Sequence, residues 1–317
     1  MMDNSALTPQ EVADILKIAK NTVYEIIKRG ELNSYRVGKK VRVDLKDVEE
    51  YKNSTKSKKG TSRGEIQKPL KPNPLSLEEI PRGSGFVICG QDITLDIMSR
   101  YLQMHPDGVP ALRSYIGSYN GLYSLYNGNV QVTAVHLWDG DTGQYNVPYV
   151  RRMLPGIPAV IIHLAVRIQG FYVANGNPKG IKGWEDLRRK DISIINREKG
   201  SGTRILLDEH LRKLGIPAST IKGYERESTS HLAIASTVAR GGADVGMGNE
   251  KVGQQVKGVD FIPLQPERYD IVIKKEDINT PPFNAVIDVL RSSEFRMEIE
   301  GLGGYDLKDM GKIVAET

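Results

Sequence analysis

Between residues 8 and 51 the apolar positions recur at helical spacing in three short bursts. Val12, Ile15 and Leu16 line one face of the first, Val23, Ile26 and Ile27 one face of the second, and Leu45, Val48 and Tyr51 one face of the third. Thr8-Pro9-Gln10-Glu11 introduces the first: Thr8 is placed to cap, Pro9 suits the first helical position and Glu11 closes a capping box. A tight turn around Lys17 and Ile18 leads into a second helix over residues 20–29, which Gly30 stops. Two strand-like stretches then flank Gly38-Lys39-Lys40, and Asp44 is placed to cap a third helix. The prediction is two helices around a tight turn, followed by a wing.

After residue 84 the period changes. Short apolar runs at 86–89, 131–135, 160–164, 192–195 and 271–273 alternate with helix-like segments, which predicts an α/β domain with a largely parallel sheet. Residues 54–78, between the two patterns, are rich in Lys, Ser, Gly and Pro and lack an apolar period, as an exposed linker does. The expected division is a small helical module over 1–53, a basic linker over 54–82 and an α/β module over 83–317.

Composition agrees with more than one core: 317 residues, 39% apolar and 26% charged, with a mean hydropathy of −0.37, describe an ordinary globular chain. No apolar run approaches the roughly 18 residues of a membrane span, and the N-terminus lacks the basic start and apolar stretch of an export signal. A cytoplasmic protein without a membrane partner is expected. The single cysteine, Cys89, allows no internal disulfide and no Cys-rich zinc site; it reads as a small apolar residue of a buried strand in a reducing compartment, and no side-chain metal site is predicted.

Charge sharpens the division. Residues 1–72 hold 16 Lys and Arg against 10 Asp and Glu, whereas the remaining 245 hold 28 against 29. The positive excess therefore belongs to the N-terminal quarter, where it suits a polyanion. Linker residues Lys56, Lys58, Lys59, Arg63, Lys68 and Lys71 either add phosphate contacts or form a solvated tether.

The stretch LTPQEVADILKIAKNTVYEIIKRGELNSYRVGKKVRVDLKDVEEY resembles the small winged helix-turn-helix domains of the excisionase and MerR-like class. The resemblance implies that the second helix enters the major groove of double-stranded operator DNA, with Lys20, Asn21, Thr22 and Tyr24 toward the bases and Arg36, Lys39, Lys40 and Arg42 on phosphates. It departs from the family at Ala19, where a Ser or Thr cap is usual; losing such a cap costs about 1 kcal/mol. A single small domain of this kind reads one half-site, so a homodimer or higher homo-oligomer is expected.

In α/β sheets ligands sit beyond the carboxyl ends of strands, beside helix N-termini. Four turns in the large module occupy such places: 90–94, 117–121, 196–204 and 228–231. The third, Asn-Arg-Glu-Lys-Gly-Ser-Gly-Thr-Arg, offers glycines for close backbone approach, hydroxyls and free helix amides, and so suits a small oxyanion. The order of the turns, with Gly-Ala-Asp-Val-Gly-Met-Gly at 242–248, resembles a type II periplasmic-binding-protein fold. Leu137-Trp138-Asp139, Tyr145 to Val150, Asn177-Pro-Lys-Gly180 and the 197–204 block are similar to the binding domains fused to helix-turn-helix regulators and to molybdenum-cofactor proteins. What this implies is two lobes joined by crossover strands and closing on tungstate or molybdate, with no cofactor. The implied ligand contacts are Thr94, Ser118, Ser201, Gly202, Thr203, Arg204 and Ser230. Phosphate, sulfate or a molybdenum-cofactor-related molecule is the alternative; phosphate needs an acceptor for its proton, which Asp92 or Asp139 supplies if either points inward. His136 and His231 read as satisfied buried histidines, Trp138 as core, and Arg151, Arg152 and Arg167 as ligand partners or ion pairs.

No Gly-x-Ser-x-Gly, His-Glu-x-x-His, phosphate-binding loop of nucleotide hydrolases or Gly-x-Gly-x-x-Gly is present, so catalysis is not expected. The combined reading is a one-component transcription regulator in which oxyanion binding and operator binding are coupled.

Overall fold

A two-residue strand, β1 (Ala6–Leu7), leads to Thr8, whose side chain accepts from the Glu11 amide at 3.3 Å while the Glu11 carboxylate accepts from the Thr8 amide at 2.6 Å. This reciprocal box starts α1 (Pro9–Leu16), which ends at Lys17 in the left-handed conformation (φ 57°) and gives way to α2 (Lys20–Lys28). The computed structural model describes residues 6–28, 32–38, 40–54 and 85–317. Gly30, Lys39 and residues 55–82 of the expected linker, with its lysines and arginine, lie outside them. Strands β2 (Tyr35–Val37) and β3 (Lys40–Asp44) form an antiparallel hairpin, with β1 on the other side of β3, and α3 (Leu45–Ser54) closes the module.

The chain divides into two compact units, 1–71 and 72–317. In the first, Val12, Ala13, Val23, Ile26, Leu32, Val43 and Val48 form the core. The buried stripe of α1 runs through Pro9, Val12, Ala13 and Leu16, a spacing of three, four and seven residues from the first. Ile15, expected on that face, is 39% exposed because Ala13 occupies the inward position.

The second unit runs β4 (Phe86–Cys89), α4 (Ile93–Met104), β5 (Ala111–Ser114), α5 (Ser118–Tyr126), β6 (Val132–Val135), α6 (Val147–Met153) and the long β7 (Ala159–Ala174). It continues with β8 (Ile194–Arg197), α7 (Gly202–Leu214), β9 (Glu227–Ser228), α8 (His231–Ala239), β10 (Val245–Asn249), α9 (Glu250–Gln255) and the long β11 (Val259–Lys274). Helices α10 (Pro281–Arg291) and α11 (Ser293–Leu302) and strand β12 (Ile313–Glu316) end the chain.

One sheet, ordered β5-β4-β6-β11-β7-β10-β8-β9 with β12 also on β7, passes through both lobes. Within each lobe neighbouring strands are parallel, β5-β4-β6 in one and β10-β8-β9 in the other. The sheet is nevertheless mixed, because β7 and β11 pair antiparallel over their length and each meets its lobe strand, β10 or β6, antiparallel. The apolar runs at 160–164 and 271–273 are thus parts of two 16-residue crossover strands, each roughly 50 Å long at the usual rise. Polar Arg167, Gln169, Glu267 and Asp270 interrupt the apolar pattern without ending the strands: each has a cross-strand partner, with the register shifting between Pro263 and Gln265 and between Tyr269 and Asp270. Ile88, Leu95, Met98, Leu102 and Phe295 anchor the core of the first lobe, and Phe171, Ile194, Leu207 and Leu211 that of the second.

Candidate functional site

The turns between strands and helices bring the first residues of several helices to one place between the lobes. Asp92 caps α4, Gly117 precedes α5, Ser201 caps α7, His231 opens α8, and Asn249 caps the short α9; all five line a cavity of about 20 Å³. As space for atom centres this equals a sphere of about 1.7 Å radius, close to the reach of the oxygens in a tetrahedral oxyanion and too small for an amino acid. Two of the longer helices, α4 and α5, come from one lobe and two, α7 and α8, from the other, so partial positive charge converges from both sides. Gly117 offers α5 no side-chain cap, which leaves first-turn N–H groups for a ligand.

The lobes touch around this cavity. Arg197 Nη2 donates to Gln91 Oε1 at 2.5 Å, Gln91 Nε2 donates to Glu198 Oε1 at 3.3 Å, and the Tyr119 amide donates to the Gly200 carbonyl at 3.0 Å. Glycine is required here by close approach: a Cβ on Gly117 would lie 2.6 Å from the Gly200 carbonyl oxygen, and Gly200 itself sits at φ +89°. The structure is therefore a closed form.

A buried polar chain runs beneath the pocket. Tyr305 donates its hydroxyl to Asp92 at 3.0 Å, Arg167 Nη1 donates to Asp92 Oδ2 at 2.6 Å, and Arg167 Nε donates to Glu267 Oε1 at 2.9 Å; Glu267 Oε2 lies 2.7 Å from His136 Nδ1. Arg167 also stacks over the Tyr269 ring at 4.0 Å. Burial pushes the Glu267 carboxyl up, but the Arg167 charge and then His136 outweigh it and hold it at about 2. Burial likewise opposes ionisation of Asp92, and the Arg167 charge with the Thr94 amide keeps its value below the ordinary one. Burial, then the charges of Arg197 and Arg167, hold His231 well below its usual value, so it enters the wall as a neutral imidazole. Its Nδ1 is buried without a hydrogen-bond partner among the described residues. The two arginines on the wall are compensated, Arg167 by Asp92 and Glu267 and Arg197 by Glu198 at 2.8 Å. The uncompensated positive partial charge at the cavity therefore comes from the helix ends rather than from those arginines.

Of the contacts expected from sequence, Ser118 and Ser201 line the cavity. Thr94, Gly202, Thr203, Arg204 and Ser230 do not. Arg204 turns away: its Nε lies 3.2 Å from Asp208, its Nη1 3.1 Å from Glu227, and its guanidinium stacks on Tyr224. Thr94 and Thr203 bury their hydroxyls without a partner among the described residues, Gly202 packs against the His136 ring, and Ser230 is an exposed cap of α8. His136 and His231, expected as satisfied core residues, both line the wall, as does Arg167; Gln91 and Arg197, from the turns expected at 90–94 and 196–204, join them, together with Asn249 and Tyr269, which sequence reading did not single out. Asn249, at the end of β10, and Tyr269, on the crossover strand β11, lie outside the four turns picked out from sequence. Asp92 points inward, while Asp139 faces Thr142 at 2.8 Å and lies off the wall. Arg151 and Arg152 are exposed at the end of α6, Arg152 being 3.7 Å from Asp139. Trp138 packs against the second lobe's core and also stacks on His210 at 4.5 Å.

In the N-terminal unit, Lys20, Asn21, Thr22 and Tyr24 are exposed on α2, while Val23 and Ile26 of the same helix are buried. Hairpin register pairs Tyr35 with Arg42, Arg36 with Val41 and Val37 with Lys40. Lys40 and Arg42 thus share one face of the wing, and Arg36 sits on the other. Arg42 is half-buried, its Nη1 donating to the Val41 carbonyl at 3.0 Å.

Comparison with known proteins agrees with both halves. Residues 6–56 match the helix-turn-helix domain family, and residues 99–291 match the PBP superfamily domain. The chain is 43% identical, over the full length of both, to the uncharacterized protein YvgK of Bacillus subtilis (strain 168). Among solved structures, a phosphate ABC transporter substrate-binding protein of Clostridium perfringens with bound phosphate superposes with a TM-score of 0.51 at 14% identity, covering 69% of this chain and 98% of that one. The hydrogen-peroxide-bound OxyR of Corynebacterium glutamicum gives 0.51 at 14% identity, covering 93% of this chain and 89% of the other. No helix among the described residues is long and apolar enough to cross a membrane. The chain belongs to the PBP superfamily and carries a helix-turn-helix domain, of the excisionase type, ahead of its periplasmic-binding-protein-like domain.

Proposed function

We propose that this protein is a cytoplasmic, non-enzymatic one-component transcription regulator that senses a small tetrahedral oxyanion, tungstate or molybdate first, and couples its binding to operator DNA. The observation that carries the reading is the convergence of four helix N-termini, two from each lobe, on a cavity of about 20 Å³. An anion there touches both lobes at once and so stabilises the closed form over the open one. Tungstate and molybdate carry no proton at neutral pH, and the helix amides with Ser118 and Ser201 offer them donors. Lys20, Asn21, Thr22 and Tyr24 read base edges, and Lys40 and Arg42 neutralise phosphates from one face of the wing, with Arg36 and Lys39 as further phosphate contacts. A homodimer on a palindromic site follows from the single recognition helix.

One observation favours a second reading. Asp92 lines the cavity and its carboxylate, which accepts from Arg167, Tyr305 and the Thr94 amide, is held ionised; such an acceptor suits an oxyanion that keeps a proton, such as phosphate. Titration calorimetry of the full-length protein with tungstate, molybdate, sulfate and phosphate in phosphate-free buffer separates the two. Heat from tungstate or molybdate with silence from phosphate supports the first reading, the reverse supports the second, and no heat from any of the four removes the oxyanion.

A further inference from the structure

A second cavity shares part of its wall with the oxyanion cavity. Gln91, Asp92, His231 and Asn249 belong to the walls of both, and the outer space measures about 380 Å³ against about 20 Å³ for the inner. An inorganic oxyanion fills the inner space and leaves the outer one to water. The outer wall is not built for water alone. Ile93, the first residue of α4, is 48% exposed, Tyr115, just after β5, 58%, and Leu232, on the first turn of α8, 53%; all three border this one cavity. Two come from the first lobe and one from the second, so a ligand filling the space would cover apolar surface on both. Lys251 borders it as well, and its Nζ donates to the carbonyls of Leu302 and Gly303, with no carboxylate paired to it among the described residues.

We propose that the ligand is an oxyanion carried on a small organic group, such as a phosphate monoester or a sulfonate. The anionic head occupies the inner cavity, and the organic group lies against Ile93, Tyr115 and Leu232 with its far end toward Lys251. This rests on the oxyanion reading of the inner cavity and gives it a ligand class. The outer volume lies in the range of ordinary small-molecule sites, and covering an aromatic ring there is worth about tenfold or more in affinity.

The test is calorimetry of the full-length protein with matched pairs, phosphate against phenyl phosphate and sulfate against benzenesulfonate, with tungstate alongside. The expected result is that at least one organic anion binds about tenfold or more tighter than its inorganic parent. Leu232→Ser, a neutral change at an exposed position that borders the outer cavity and not the inner one, should remove most of that gain and leave inorganic binding within about twofold. Organic anions that bind no tighter than their parents, while tungstate or an inorganic parent still binds, would overturn the proposal and leave the oxyanion reading standing. An organic gain that survives Leu232→Ser in full would place the group elsewhere and overturn it too. Silence from every anion, tungstate included, would remove both.

Discussion

Arg167 on one crossover strand and Glu267 on the other stand directly opposite in register, with Nε 2.9 Å from Oε1, and the same guanidinium holds Asp92 beneath the pocket. The three groups are buried together, so the cation offsets a desolvation cost that neither carboxylate could bear alone. Arg167→Met removes that cation and is expected to cost about 3 to 5 kcal/mol, the usual price of breaking a buried pair. Both tryptophans, Trp138 and Trp184, lie in the second unit, so urea unfolding followed by their fluorescence reports on it directly. A loss below about 1 kcal/mol would show that the network does not hold the crossover region.

Ser201 and Thr203 looked equivalent in sequence and are not equivalent in space. Ser201 lines the cavity and caps α7, its Oγ 3.2 Å from the Arg204 amide, whereas Thr203 is not part of the wall and buries a hydroxyl without a partner among the described residues. Ser201→Ala should weaken anion binding by about tenfold through the lost donor and cap, while Thr203→Val should leave it within about twofold and keep or raise stability. Calorimetry on both variants decides. Equal losses would mean that the two hydroxyls share the ligand.

Acid should loosen the large unit in a defined window. The folded-state value of His231 lies well below its ordinary 6.5, chiefly through burial, so between the two values the unfolded chain binds the extra proton and stability rises with pH. As pH falls below 6.5 the loss approaches about 1.4 kcal/mol per pH unit for that histidine. His210, also lowered by burial between the Trp138 and Trp184 rings, adds to it. Glu267, held at about 2, contributes stability in full above its ordinary 4.5 and loses it only below that, so melting between pH 7.5 and 5.5 isolates the histidines. Tm should fall over that range, and His231→Gln should shrink the fall. An unchanged fall in the variant would assign the effect to other groups.

The wing makes a prediction from register alone. Lys40 and Arg42 share a face and Arg36 lies on the opposite one, so a single DNA backbone cannot engage all three alike. Lys40→Ala should weaken binding to any duplex and lower the salt slope by about 1, and Arg36→Ala should change it less. Equal effects on the slope would place the backbone across the tip of the hairpin.

Much of this was legible in the chain. The Thr8 capping box, the buried Val12, Val23 and Val48, and the glycine-rich turn before α7 follow from local chemistry, and each appears where spacing placed it. The long crossover strands were not legible, because Arg167 and Glu267 look like breaks in an apolar run until their mutual pairing is known. The same gap hid Asn249 and Tyr269, which join the wall only because the lobes fold toward each other. Arg204 misled for the converse reason, since its partners Asp208 and Glu227 lie off the wall.

In the proposed regulator the anion pocket and the DNA-binding domain act on one equilibrium. A duplex selected from a random pool by the full-length protein, labelled and titrated by fluorescence anisotropy with and without saturating tungstate, tests it most directly. The account predicts that the anion shifts the DNA Kd by about fivefold or more in one direction, and that Ser201→Ala removes the shift while sparing binding without ligand. A DNA Kd that stays the same when calorimetry shows the anion bound would contradict it.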